Sequence, residues 1–395
     1  MPQPDISGNS ADFHADPYAY YARLRAAGPV HRVDVRAAAY EPTFIVVGNE
    51  EARQALNHPG LSKDWRASLP DVAHTAANFN MLESDPPHHT RLRKLVAREF
   101  TARRVEALRP RVQQITDELL DAMAARPERT ADLIEAVAFP LPMTVICELL
   151  GVPDLDRARF SYWSKEVVAP PAGAPITAAH QQLSLYLGEL VEAKAKEDAD
   201  DLLGALIRAR DEDGDRLSHD ELIGMAFLLL IAGHETTVNL VGNGMRALFA
   251  HPAQLADLRG DCDGLLDGAV EEMLRYEGPV QNATFRYARE EVRLGGSTIP
   301  AGATVVVSLG AADRDPGRYA DPDAFDIRRA PQGHLAFGHG LHFCLGAPLA
   351  RMEGRIAIRG LLERFPDLAE DPAAGPPVWV TGSLMRGVTR LPVRW

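Results

Sequence analysis

The stretch HLAFGHGLHFCLGAPLAR, His334–Arg351, decides how this chain is read. Glycines 338, 340 and 346 break any regular element around Cys344, and LGAPLARMEGRIAIRGLLERF then carries apolar residues at helical spacing. Pro348 falls in the first part of that helix, where proline is tolerated. One thiol is therefore delivered close to a helix N-terminus. Backbone N–H groups and the positive end of the helix dipole lower a thiol's pKa there and can hold a thiolate, which invites a metal. No second cysteine or CxxC pair is near, so zinc is not expected; a single protein ligand suits a metal whose other positions are filled by a macrocycle. The competing reading is an inert buried cysteine.

Composition bounds the rest. The 395 residues include 42 Lys plus Arg against 55 Asp plus Glu, a net charge of -13, which argues against wholesale binding to nucleic acid or to an anionic membrane. The first thirty residues show neither a long apolar run nor a basic segment with a small-residue cleavage site, so neither signal peptide nor membrane anchor is expected. Cys147, Cys262 and Cys344, an odd count without paired spacing, fit a reducing compartment, and a cytoplasmic protein is expected.

Helical periodicity dominates, as in residues 10–30 and 90–127, with short β-like runs at TFIVVG, VRLGGSTIPAGATVVVSLG and PPVWVTGSLMRGVTRLPVRW. The expected class is mainly α with small β-sheets. No repeat or long Gly/Ser linker divides the chain. The alanine-rich PPAGAPITAAHQQ, Pro170–Gln182, reads as a mobile loop, and a lid is expected there.

The segment SHDELIGMAFLLLIAGHETTVNLVGNGMRALFAHP opens on Ser218 and Glu221 at capping-box spacing and closes at His251-Pro252, predicting about 32 residues of helix, roughly 48 Å long. It is apolar nearly all round, yet Gly233, His234, Glu235, Thr236 and Thr237 interrupt it. Gly233 removes bulk, and a Thr236 hydroxyl bonded back to the Ala232 carbonyl would open the helix enough to admit a small molecule. A helix crossing with a kink and a satisfied threonine pair is the alternative.

The AGHETT of Ala232–Thr237, the Glu-x-x-Arg pair Glu272 and Arg275, and Phe337, Gly340, Cys344 and Gly346 as FxxGxxxCxG together, in that spacing and order, resemble the cytochrome P-450 family of haem-thiolate monooxygenases. The resemblance covers nearly the whole chain, 1–395, as a single haem domain. It implies that family's fold, a triangular prism with a long central helix over the haem. It implies haem b ligated by Cys344, with His89, Arg93, Arg286 and His342 meeting the propionates; His88 stands where an acidic residue is often found. Glu235 and Thr236 would handle protons, while Glu272 and Arg275 would be structural. Insertion of one oxygen atom of O2 into a C–H bond is the implied reaction, a hydroxylation or epoxidation. A non-oxygenating ligand sensor, or a peroxide-dependent or isomerising haem enzyme, is the alternative.

The resemblance is strongest to actinomycete macrolide and polyketide hydroxylases of the pikromycin type. It puts Phe79, Met81, Leu82, Leu229, Ala232, Gly233, Val280, Leu384 and Met385 in the substrate pocket. Members acting on amino-sugar macrolides need a carboxylate for the ammonium; Val167–Leu183 has none, and Leu61–Glu83 offers only Asp64, Asp71 and Glu83. A neutral macrolactone, another apolar polyketide or a fatty-acyl-like substrate is expected. Electrons must come from a separate partner, an acidic ferredoxin with its reductase. It would dock on a basic face with Arg91, Lys94, Arg98, Arg103, Arg104, Arg351 and Arg355. A monomer without nucleic acid or membrane completes the expectation.

Overall fold

The computed structural model describes residues 11–33, 42–67, 75–153, 157–168, 178–197, 200–209, 214, 216–330, 333–380 and 382–395. Among these, one compact unit is formed within 1–62, 116–138 and 236–395, and another within 63–115 and 139–235.

All strands among the described residues belong to the first unit. The largest sheet has five, in the order Val30–Val33, Thr43–Val46, Thr304–Val307, Arg286–Ala288, Leu61–Ser62. Its parallel pair registers Thr43 with Thr304 and Val46 with Val307. All four residues of TVVV are buried, so β-branched side chains pack on both faces, as a central strand requires. Val292–Leu294 and Ser297–Ile299 form a hairpin. Gly295 (φ 55°) and Gly296 (φ 79°) supply the two left-handed residues that its tight turn demands. The C-terminal strand Pro392–Arg394 pairs with Thr130–Asp132 and Ala369–Glu370.

Among the described residues, the second unit is helical apart from turns. Pro140–Leu150 is apolar on nearly every side and is capped by Gly151 in the left-handed region (φ 68°). Helix Ala178–Lys196 buries Leu183 and Leu187 and passes the long helix at Gly188, where a Cβ would stand 3.4 Å from Ile223.

The long helix spans His219–Ala250, 32 residues as its caps predict. Ser218 and Glu221 bond reciprocally, Ser218 N–H to Glu221 Oε2 at 2.7 Å and Glu221 N–H to Ser218 Oγ at 3.2 Å. Two expectations change. The helix stays α-helical straight through Gly233–Thr237, because the space at Gly233 is taken by a neighbour: a Cβ there would lie 2.9 Å from Ile146. Gly233 thus lets two helices approach. Nor is Pro170–Gln182 all loop, since Ala178–Gln182 is the first turn of a helix whose apolar positions bury Ala179 and Leu183; residues 169–177 lie outside the described set.

Candidate functional site

Cys344 follows a 3-10 turn, Gly340–His342, and precedes the helix Ala347–Arg364 with Pro348 in its first turn. Gly338 (φ 74°) and Gly340 (φ 72°) take conformations that other residues avoid, and a Cβ on Gly340 would come 2.5 Å from the Asn57 side chain. The Cys344 N–H donates to the Phe337 carbonyl at 2.8 Å, closing the loop. The cysteine is exposed.

Two adjacent glutamates on helix Cys262–Tyr276 fix this loop. Glu272 and Arg275, each 3 % exposed, pair through two bonds of 2.7 and 2.8 Å. Arg275 also donates to the carbonyls of Asp313 (3.0 Å), Pro322 (2.7 Å) and Ala324 (2.9 Å), so all five guanidinium donors are used. Asp313 in turn accepts the Leu335 N–H at 2.7 Å, at the entrance to the cysteine loop. Burial raises the Asp313 carboxyl to about 6. Glu271 takes a second grip: Arg351 reaches it at 2.6 and 2.8 Å and His334 Nε2 at 3.2 Å. Burial opposes ionisation of Glu271, but these hydrogen bonds and charges hold its carboxyl well below the usual range. Arg351 lies over the Phe337 ring, 4.5 Å from its centroid. Arg351 is therefore a brace of the cysteine loop before it is a docking cation.

Arg286 opens a strand of the five-stranded sheet and is buried to 3 %, with long bonds of 3.4 Å to the Thr284 and Leu56 carbonyls. His342 is half-buried in the 3-10 turn. In the second unit His89 is buried on helix His88–Ala97; burial and the Arg93 charge lower its pKa. Of the expected docking cations, Arg91 pairs with Glu221, Arg104 with Glu99, Arg351 with Glu271 and Arg355 with Asp267, so much of that charge is balanced locally.

Phe79 and Met81 run against the long helix, and Leu82 beside them is half-buried. Gly224 makes this possible, since a Cβ there would strike the Phe79 carbonyl at 2.4 Å, and Met81 N–H points to the Met225 sulfur at 3.4 Å. The Phe79 ring faces the Arg66 guanidinium, 5.4 Å away. On the helix Leu229 is buried and Ala232 is exposed. In the first unit Val280 bridges to Met385, and the Gln281 N–H donates to the Leu384 carbonyl at 2.9 Å, bringing Val280, Leu384 and Met385 together. Thr236 is half-buried, and Thr237 is buried.

Three groups escaped the sequence reading. Ser164, on helix Arg157–Val168, bonds Glu235 at 2.9 Å and stands 2.5 Å from His234 Nε2. Glu353, 1 % exposed, hydrogen-bonds Thr237 and leaves Oε2 without a partner among the described residues. Glu271 was overlooked beside Glu272. The doubled EE and a glutamate on the apolar face of the helix behind Cys344 were the available signals.

The family model described as cytochrome P-450 matches residues 8–156 and 176–377. The chain is 58 % identical over 393 residues to the cytochrome P-450 monooxygenase PikC of Streptomyces venezuelae, covering 99 % of this chain and 94 % of that one. It is 45 % identical over 406 residues to 6-deoxyerythronolide B hydroxylase of Saccharopolyspora erythraea, covering 99 % and 98 %. Among solved structures, the tirandamycin C-bound monooxygenase TamI superposes with a TM-score of 0.88 at 47 % identity, covering 98 % of each chain. With the cysteine loop, its Glu-Arg brace and the long helix carrying AGHETT, these matches establish that the chain belongs to the cytochrome P-450 family and is a monooxygenase.

Proposed function

We propose that the whole chain acts as one haem domain that hydroxylates a neutral, largely apolar polyketide in the cytoplasm. Electrons would come from an external ferredoxin and its reductase. The family implies haem iron, and the residues fit it: an exposed thiol at a helix start, on a loop braced from two sides, and a buried guanidinium able to meet a carboxylate. Cys344 would ligate haem b, and Arg286, His342, His89 and Arg93 would take its propionates. Bound there, the haem supplies oxygen activation, to which the thiolate adds electron density.

The chain's own residues do the rest. Thr236 offers a hydroxyl in the middle of a buried helix, able to hold a water and pass a proton, and Glu235 beside it is the carboxyl that can resupply that proton. Phe79, Met81, Leu82, Leu229, Ala232, Val280, Leu384 and Met385 would present apolar surface, so that selectivity comes from positioning one C–H bond. A non-oxygenating protein has no use for Glu235 and Thr236 at mid-helix.

One observation favours a neutral substrate. Asp64 accepts from Arg66 Nε at 2.7 Å, and Glu83 Oε2 accepts from Trp65 Nε1 at 2.8 Å and Asn78 Nδ2 at 3.1 Å. Both candidate carboxylates for an ammonium are engaged by neighbours; Asp71 lies outside the described residues. The relatives PikC and 6-deoxyerythronolide B hydroxylase support a substrate of polyketide type.

Thr236→Ala tests the proton role. Reductant consumption should continue while product per reductant falls by roughly tenfold or more and peroxide rises to match. An unchanged product-to-reductant ratio removes Thr236 from the reaction.

A further inference from the structure

Beside Thr236 the helix carries His234, fully buried, and the structure gives its ring nitrogens two different tasks. Nδ1 lies 2.7 Å from the Leu230 carbonyl, which can only accept, so Nδ1 carries a hydrogen. Nε2 faces Ser164 Oγ at 2.5 Å and Glu235 Oε1 at 3.2 Å, and the same Ser164 Oγ lies 2.9 Å from Glu235 Oε1. Three heavy atoms thus form a closed triangle. Ser164 is 1 % exposed, Phe139 sets its ring edge against the His234 ring at 5.8 Å, and Ile146 fills the space at Gly233, so water reaches the triangle mainly at Glu235, whose side chain is 14 % exposed.

Counting protons decides what this triangle is. A neutral His234 with its hydrogen on Nδ1 brings a bare Nε2, and an ionised Glu235 brings a bare oxygen. Ser164 has a single hydroxyl hydrogen and can serve only one of them. The other edges would then set lone pair against lone pair in a dry site, an arrangement that buried polar groups avoid. One added proton resolves every edge: Nε2–H is shared between Ser164 Oγ and the more distant Glu235 Oε1, and Ser164 O–H donates to Glu235. Placing the added proton on Glu235 instead satisfies the same edges in the opposite sense.

We infer that Ser164 and His234 are positioning residues that hold one shared proton against Glu235, making the three a buried proton store next to Thr236. The inference rests on the role proposed for Glu235 and deepens it. Starting with the shared proton on His234 Nε2, Ser164 takes it and passes its own hydroxyl hydrogen to Glu235 Oε1, and Glu235 then gives that proton up. The histidine is left neutral, and a proton from bulk water restores the store. Charge and atoms balance at each transfer, and no bond between heavy atoms changes.

The test uses the full haem-loaded chain in its diamagnetic ferrous carbonmonoxy form, with 15N-labelled histidine and His234→Gln to assign the signal. Wild type should show His234 Nε2 carrying or sharing a proton, and Ser164→Ala and Glu235→Gln should each move that nitrogen toward the unprotonated position. In turnover, Ser164→Ala should lower product per reductant on the order of tenfold with substrate affinity unchanged, and Ser164→Thr, which restores the hydroxyl, should recover most of it. A His234 that is neutral with a bare Nε2 in wild type, or whose nitrogen is the same in all three proteins, overturns the shared proton. If the nitrogen shifts as expected while Glu235→Gln keeps full product yield, the shared proton stands and the relay through Glu235 falls.

Discussion

Glu272→Ala should lower the stability of the protein by about 3–5 kcal/mol, because it leaves the Arg275 guanidinium buried without its counter-charge. The effect should reach Cys344. Arg275 holds the carbonyls of Asp313, Pro322 and Ala324, and Asp313 holds Leu335 at the start of the cysteine loop, so losing the pair slackens the segment that presents the thiolate. Glu272 also accepts from the Asp326 N–H at 2.9 Å and from Arg329 at 3.2 Å, and both bonds go with it. Arg275→Lys should also destabilise, since an ammonium has three donors in place of five set in a plane. Urea unfolding of the haem-loaded variants measures this; a loss below about 1 kcal/mol would put the pair among surface contacts.

Glu353→Gln should abolish a steep dependence of stability on pH. Burial raises the Glu353 carboxyl from 4.5 to about 8, so the folded protein keeps this proton where the unfolded chain has released it. Between those values the native state binds more protons than the unfolded state. Stability therefore falls as pH rises across that window, by about 1.4 kcal/mol per unit in the limit, and several kcal/mol at most in total. Glutamine keeps the shape and the hydrogen bond with Thr237 but cannot ionise. Unfolding at pH 6 and pH 8.5 should show wild type weakening and Glu353→Gln nearly level on this account. Parallel decline of both proteins would mean that Glu353 is ionised in the fold.

Much of this was written in local sequence. Ser218 and Glu221 marked the start of the long helix, and His251-Pro252 its end, because caps and prolines act within one turn. TVVV and its glycine-paired neighbours announced strands through β-branching and turn chemistry. The Glu272–Arg275 spacing put both on one helical face, though nothing local said that the face was buried. What stayed hidden is non-local. His334 meets Glu271 across 63 residues, Arg351 meets it across 80, and Ser164 meets Glu235 across 71; periodicity carries no trace of such pairings. Gly233 misled for a related reason. An absent side chain is equally consistent with an opening and with a neighbour pressed close, and only Ile146 distinguishes them. The strand Thr130–Asp132 and the π-helical turn Ile134–Ala138 were missed because neither is long enough for a pattern to repeat twice.

The central claim is that Cys344 is the axial ligand of a haem iron. Its most direct test is the absorption spectrum of the dithionite-reduced protein with and without carbon monoxide, taken on wild type and on Cys344→His. Wild type should give a carbonmonoxy Soret band far to the red of that of imidazole-ligated haem proteins, and Cys344→His should lose that displacement. A wild-type band at the imidazole position, or a displaced band that survives the loss of Cys344, would contradict the account.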